Sequence, residues 1–172
     1  MRQFVALCYR RIPMAKILII YYSRTGNTEA MAGHIKAGVR EIAGAEVSCL
    51  PVDQVAADDL LDYDAIIMGS PVYYGTMAAE LKKLIDDSVA HHGKLAGKVG
   101  GAFASSANVG GGNETTVMDI IKALLIHGMV VPGSAKGDHY GPVSIGKPDG
   151  RAQSECQKLG RLVGQLAAKL HG

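Results

Sequence analysis

The chain has no tryptophan, two phenylalanines and three cysteines among 172 residues, and each shortage closes a class of function. Cys8, Cys49 and Cys156 are odd in number and show no C-x-x-C spacing, which argues against a disulfide framework and a zinc site. No metal is therefore expected, and the reducing cytoplasm is the expected compartment. No block of lysine or arginine accompanies the formal net charge of +2, so there is no electrostatic footprint for nucleic acid. No apolar run approaches the roughly 20 residues that cross a bilayer. No G-x-x-x-x-G-K-[ST] follows a strand; residues 141–147 have the spacing, but Pro148 replaces the metal-holding hydroxyl. A nucleoside triphosphate with Mg²⁺ is thereby disfavoured. The missing G-x-G-x-x-G does the same for a dinucleotide.

With 48% apolar and 20% charged residues the chain is globular, and its length suits one domain, expected over residues 14–172. Residues 1–13 carry Arg2, Arg10 and Arg11 around a short apolar patch. They lack the longer apolar region and small-residue cleavage site of a secretory signal. They read as an extension, expected to be mobile or peripheral, with Met14 as a candidate start.

Strand-like and helical runs alternate along the rest. Strands are predicted over 16–22, 46–51, 65–68, 98–105 and 129–131. Helices are predicted over 28–43, 55–61, 78–89 and 114–126, with a last one placing Cys156, Leu159, Leu162, Val163, Leu166 and Leu170 on one face. A long loop is expected over 132–150. Five strands alternating with helices imply a parallel, doubly wound α/β sheet with right-handed crossovers. Ligands of such sheets sit beyond the carboxyl ends of the strands. That edge would collect three loops rich in glycine, hydroxyls and tyrosine.

The first loop is Ser23-Arg24-Thr25-Gly26-Asn27-Thr28. An apolar strand ending in a donor-rich turn that opens a helix is suited to a phosphate, because the helix start presents unpaired N–H groups. The plainer reading is an ordinary N-cap by Asn27 or Thr28. The second loop contains Pro71-Val72-Tyr73-Tyr74-Gly75-Thr76, two adjacent tyrosines in a chain with few aromatics. They read either as packing over the loop or as a flat wall for a planar ligand. The third, Ser105-Ser106-Ala107-Asn108-Val109-Gly110-Gly111, offers exposed backbone N–H groups or is only a flexible connector. His127, at a helix end before Gly128, reads first as a dipole-stabilising cap.

These residues are similar to the flavodoxin-like superfamily. Ser23 to Thr28 matches its phosphate signature, [ST]-x-T-G-x-T, in full. The sequence further resembles the WrbA-type NAD(P)H:quinone oxidoreductases. That likeness rests on Tyr63-Asp64-Ala65-Ile66-Ile67-Met68-Gly69-Ser70-Pro71, on Lys94-Leu95-Ala96-Gly97-Lys98 and on His127-Gly128-Met129-Val130-Val131. The family's R-F-G in the second loop is Tyr73-Tyr74-Gly75 here.

The resemblance implies a three-layer sandwich with a five-stranded parallel sheet of order 2-1-3-4-5. It implies FMN as cofactor and NAD(P)H as co-substrate. The phosphate would lie on the first loop, one side of the flavin on Pro71 to Thr76, and its pyrimidine edge on Ser105 to Gly111. Tyr74 would stack on or edge the ring, and His127 would give a hydrogen bond or proton to the acceptor. The acceptor would be a small-molecule quinone or a redox protein, and assembly into a homo-oligomer is compatible with the family. The competing expectation is a flavodoxin-type electron carrier with no substrate of its own. The resemblance gives such carriers strongly acidic surfaces, so a net charge of +2 counts against it.

Overall fold

A computed structural model describes residues 14–172. The expectations for residues 1–13 lie outside the described residues. Strands β1 (Ala15–Tyr21), β2 (Ala45–Pro51), β3 (Ala65–Tyr73), β5 (Val99–Ser106) and β6 (Val143–Ile145) form a parallel sheet in the order β2-β1-β3-β5-β6. Taken along the chain these are the five strands of a 2-1-3-4-5 sheet. A two-residue strand β4 (Thr76–Met77) adds an antiparallel hairpin at the end of β3.

Alternation along the central strands divides the core into two layers. Ile17 and Ile19 of β1 point to one face with Ile67 and Phe103; Leu18 and Ile20 point to the other with Ile66 and Met68. The first face is covered by helices α1 (Asn27–Arg40) and α4 (Gly150–His171), which bury Met31, Ile35, Val39, Cys156 and Val163. The second is covered by α2 (Ala79–Asp87) and α3 (Asn113–Ile126), through Leu81, Leu84, Val117, Ile120 and Leu124. Both faces of β1 must be apolar, which is why it reads as an unbroken run.

Four details differ from the sequence expectations. Residues 129–131 contribute only one bridge, Val130 to Val99, and the fifth strand proper is β6, inside the stretch expected to be loop. An edge strand pairs on one side only, so it can be supplied in two short pieces without a long apolar run. The third strand, predicted over 65–68, does not end there; β3 continues through Gly69-Ser70-Pro71 to Tyr73. Gly69 is there because a Cβ would lie 2.0 Å from the Phe103 ring. The expected helix over 55–61 is instead two 3₁₀ turns, Val52–Gln54 and Ala57–Asp62. In α4, Leu170 is exposed, and small residues, Ala152, Gly160, Gly164 and Ala167, complete the buried stripe.

Candidate functional site

Because β1, β3 and β5 are adjacent and parallel, their carboxyl ends bring the three loops together. Each pair of loops is in contact. The Arg24 guanidinium lies 5.7 Å from the centre of the Tyr73 ring, joining the first loop to the second. Thr28 Oγ1 and Ser105 Oγ are 2.9 Å apart and buried, joining the first to the third. Thr115 Oγ1, just past the third loop, donates to the Gly75 carbonyl at 3.1 Å in the second. Tyr73 also meets Tyr22 edge-to-face, with ring centres 6.2 Å apart.

The first loop is built to leave donors open. The N-cap of α1 is Gly26 at φ +84°, a conformation that favours glycine, and no side chain caps the helix. The first backbone N–H groups of α1 therefore face outward unpaired, so the ordinary capping role is not taken up by Asn27 or Thr28. The Ser23 hydroxyl is buried and has no hydrogen-bond partner. A buried hydroxyl without a partner costs free energy unless a ligand supplies one. At the same helix start, Tyr21 OH donates to Glu29 Oε1 at 3.2 Å. Burial and that carboxylate push the Tyr21 phenol up to about 12, so it stays a donor.

In the third loop, Ser106 Oγ donates to the Asn108 carbonyl at 2.9 Å and the Gly111 N–H returns to the same oxygen at 3.1 Å. This small turn leaves Ala107, Asn108, Val109 and Gly110 exposed at the edge. In the second loop, Pro71, Val72 and Tyr73 are half-buried, and Tyr74 stands fully exposed at the hairpin tip. Tyr73, rather than Tyr74, makes the contacts to the neighbouring loop.

The sequence reading missed the start of α3. Thr115, the buried and unpartnered Thr116 hydroxyl, and Asp119 all lie beside the second and third loops. The signal was available: Asn113-Glu114-Thr115-Thr116 after a glycine run is the same donor-rich helix start as Ser23 to Thr28.

His127 is set apart from this site. α3 starts at the carboxyl edge and runs back 14 residues, about 21 Å, to the amino edge of the sheet. There the Gly128 carbonyl accepts from Gly97 N–H, just before β5 begins. Within its own chain His127 therefore lies at the opposite end of α3 from the three loops. Its local chemistry is well defined. Ser88 Oγ donates to the Ile85 carbonyl at 2.6 Å, so it accepts from His127 Nε2–H at 2.8 Å. Nδ1 is buried without a partner.

Burial, with His92 and His91 nearby, holds the His127 imidazole below the usual 6.5. The unfolded chain then takes up this proton first as pH falls. This site's stability is full above pH 6.5 and declines below it. Between pH 7 and pH 5 the wild-type Tm is expected to fall about 2 °C further than that of His127→Gln. Parallel melting curves across that range would remove His127 from the pH dependence.

A cleft of about 850 Å³ opens on the β2 side of the same edge, between residues 51–58 and α2. Of the sequence-predicted residues, only Ser23 lines it. Glu29, Asp53, Asp58, Glu80 and Asp87 face it against a single Lys83, so its field repels a phosphate. Among the described residues there is no group of three or more His, Cys, Asp or Glu arranged to hold a metal, and no helix long and apolar enough to cross a membrane.

Comparison with known proteins follows the same outline. The flavodoxin domain family model matches residues 18–122, from β1 into α3, taking in all three loops. A relative named flavodoxin, from Aquifex aeolicus, is 36% identical over 163 residues, covering 90% of this chain and 88% of that protein. A relative named NAD(P)H dehydrogenase (quinone), from Nitrobacter winogradskyi, is 38% identical over 200 residues, covering 92% of this chain and all of that protein. The solved structure of a WrbA-like flavodoxin from Agrobacterium tumefaciens superposes with a TM-score of 0.77 over 91% of this chain and 99% of that one. At 22% identity that likeness bears on the fold alone.

Proposed function

The chain belongs to the flavodoxin domain family, and from that membership we propose that it is an FMN-binding oxidoreductase that reduces a quinone with electrons from NAD(P)H. The observation that carries the cofactor is the open donor set at Ser23 to Thr28: a buried hydroxyl without a partner beside a helix start that no side chain caps. A terminal phosphate satisfies both. When bound, FMN supplies the two-electron chemistry, taking a hydride from NAD(P)H and passing electrons to the acceptor.

The chain's own residues bind, orient and exclude. Ser23, Thr25, Thr28 and the N–H groups of Gly26 and Asn27 hold the phosphate, with Arg24 seated on Tyr73 to keep a positive charge near it. The 71–76 segment walls one side of the ring, and the small turn from Ser105 to Gly111 offers backbone N–H groups to its polar edge. The Thr28–Ser105 contact ties phosphate and ring subsites into one rigid unit. The acceptor is a small-molecule quinone, with a redox protein as the carrier alternative, and the cytoplasm suits the free thiols of Cys49 and Cys156. A homo-oligomer is the remaining expectation for its assembly, readable by light scattering.

Purified protein is expected to be yellow, and NADH or NADPH with benzoquinone should turn over many times per FMN. FMN-loaded protein that turns over with neither nucleotide supports the electron carrier. Protein that cannot be loaded with FMN overturns both readings.

A further inference from the structure

The hairpin between β3 and β4 has a two-residue turn, Tyr74-Gly75, with both residues in the left-handed region, at φ +50° and +83°. This is the type I′ arrangement, whose first position suits asparagine, aspartate or glycine. Tyr74 is the one residue other than glycine with positive φ among the described residues. An aromatic side chain there is strained, and strain persists only where the surroundings over-determine it. Burial does not offset it, because the Tyr74 side chain is fully exposed.

What holds the turn is α3. Thr76 Oγ1 donates to Asp119 Oδ2 at 2.7 Å, and Asp119 Oδ1 pairs with Lys122 Nζ at 2.6 Å. Thr115 Oγ1 shares its one proton between the Gly112 carbonyl at 2.9 Å and the Gly75 carbonyl at 3.1 Å, and the backbone of Gly112 comes so close that a Cβ there would lie 3.0 Å from Gly75 Cα. The Lys122 and Thr76 bonds also hold the Asp119 carboxyl below its usual range, so it is a full acceptor at neutral pH. Three contacts thus fix a strained turn whose aromatic ring is fully exposed.

We propose that Asp119, acting through Thr76, is a positioning residue that locks the Tyr74-Gly75 turn so that Tyr74 is presented rigidly to the flavin ring. The proposal rests on the FMN reading above. Ordering the turn in advance removes an entropic cost that binding would otherwise carry. With the lock released, the turn relaxes to a geometry without positive φ at Tyr74 and the ring swings away.

The test combines a measurement that needs no ligand with one that does, on wild type, Thr76→Val, Thr76→Ser, Asp119→Ala and Asp119→Asn. Chymotrypsin cleaves after tyrosine, so cleavage at Tyr74 reports the lock directly. It is expected about tenfold faster in Thr76→Val and Asp119→Ala, which lose the bond. It should be near wild type in Thr76→Ser and Asp119→Asn, which keep a donor and an acceptor. FMN titration of the apoprotein should show the dissociation constant rising about tenfold in the first pair, with a weakened visible circular dichroism of the bound flavin, and rescue in the second.

Equal cleavage in all five proteins overturns the lock. Faster cleavage with unchanged FMN affinity and dichroism overturns its role toward the flavin. Thr76→Ser as weak as Thr76→Val overturns the hydroxyl's part. Wild type that cannot bind FMN at all overturns the cofactor reading instead, and the cleavage rates still decide whether the lock exists.

Discussion

Replacing Thr25 and Thr28 together by alanine is expected to weaken FMN binding by roughly a hundredfold or more, measured by quenching of flavin fluorescence on titrating the apoprotein. Hydrogen bonds to a charged group are worth about 1.5–3 kcal/mol each, so losing two exceeds the factor of ten that 1.4 kcal/mol represents. The two threonines differ in how they act. Thr25 is exposed, with its hydroxyl 3.5 Å from the Asn27 amide, and is free to turn to a ligand. Thr28 is almost fully buried and its hydroxyl is already shared with Ser105, so its loss also uncouples the first loop from the third. Thr28→Ala alone should therefore weaken binding more than Thr25→Ala alone, and Ser105→Ala should reproduce part of the Thr28 effect. An unchanged dissociation constant in the double variant would place the phosphate elsewhere on the edge.

The second large effect lies far from any ligand. Gly38→Ala is expected to cost about 3 kcal/mol and to lower Tm by about 10 °C, read by thermal unfolding. α1 and α4 cross at Gly38 and Gly160 in near contact of backbones: a Cβ on Gly38 would lie 2.0 Å from the Gln157 carbonyl oxygen, and one on Gly160 would lie 2.1 Å from that of Ile35. Backbone cannot rotate away as a flexible side chain can, so the helices must separate. Separation opens the layer that holds Met31, Ile35 and Val163. It also moves α1, whose first turn carries the phosphate donors, so weaker FMN binding should accompany the lower Tm. A Gly38→Ala protein that melts with the wild type would mean that the two helices slide freely past each other.

The alternation of strand and helix, and the three loops gathered at one edge, were legible because they rest on local patterns. Ile17 to Ile20 and Ile66 to Met68 are apolar on both faces, and such runs occur where helices cover both sides of a sheet. The donor-rich stretch from Ser23 to Thr28 was legible for a similar reason, since a hydroxyl-rich turn before a helix announces itself in a few residues. β6 was not, because a three-residue edge strand pairing on one side needs no pattern longer than the noise. The strand predicted over 65–68 runs on through Gly69, whose reason, the Phe103 ring, lies 34 residues further along the chain.

The sequence by itself determined the parallel sheet and the class of ligand edge, because hydrophobic period and turn chemistry are local and the crossover rule leaves few topologies; the strand order came from the family resemblance. Tertiary structure alone decided which residues act together there. It joined Thr28 to Ser105 across 77 residues and Thr76 to Asp119 across 43, and held Tyr74 strained and exposed. Those outcomes depend on distances between side chains remote in the chain, and no local pattern encodes such a distance.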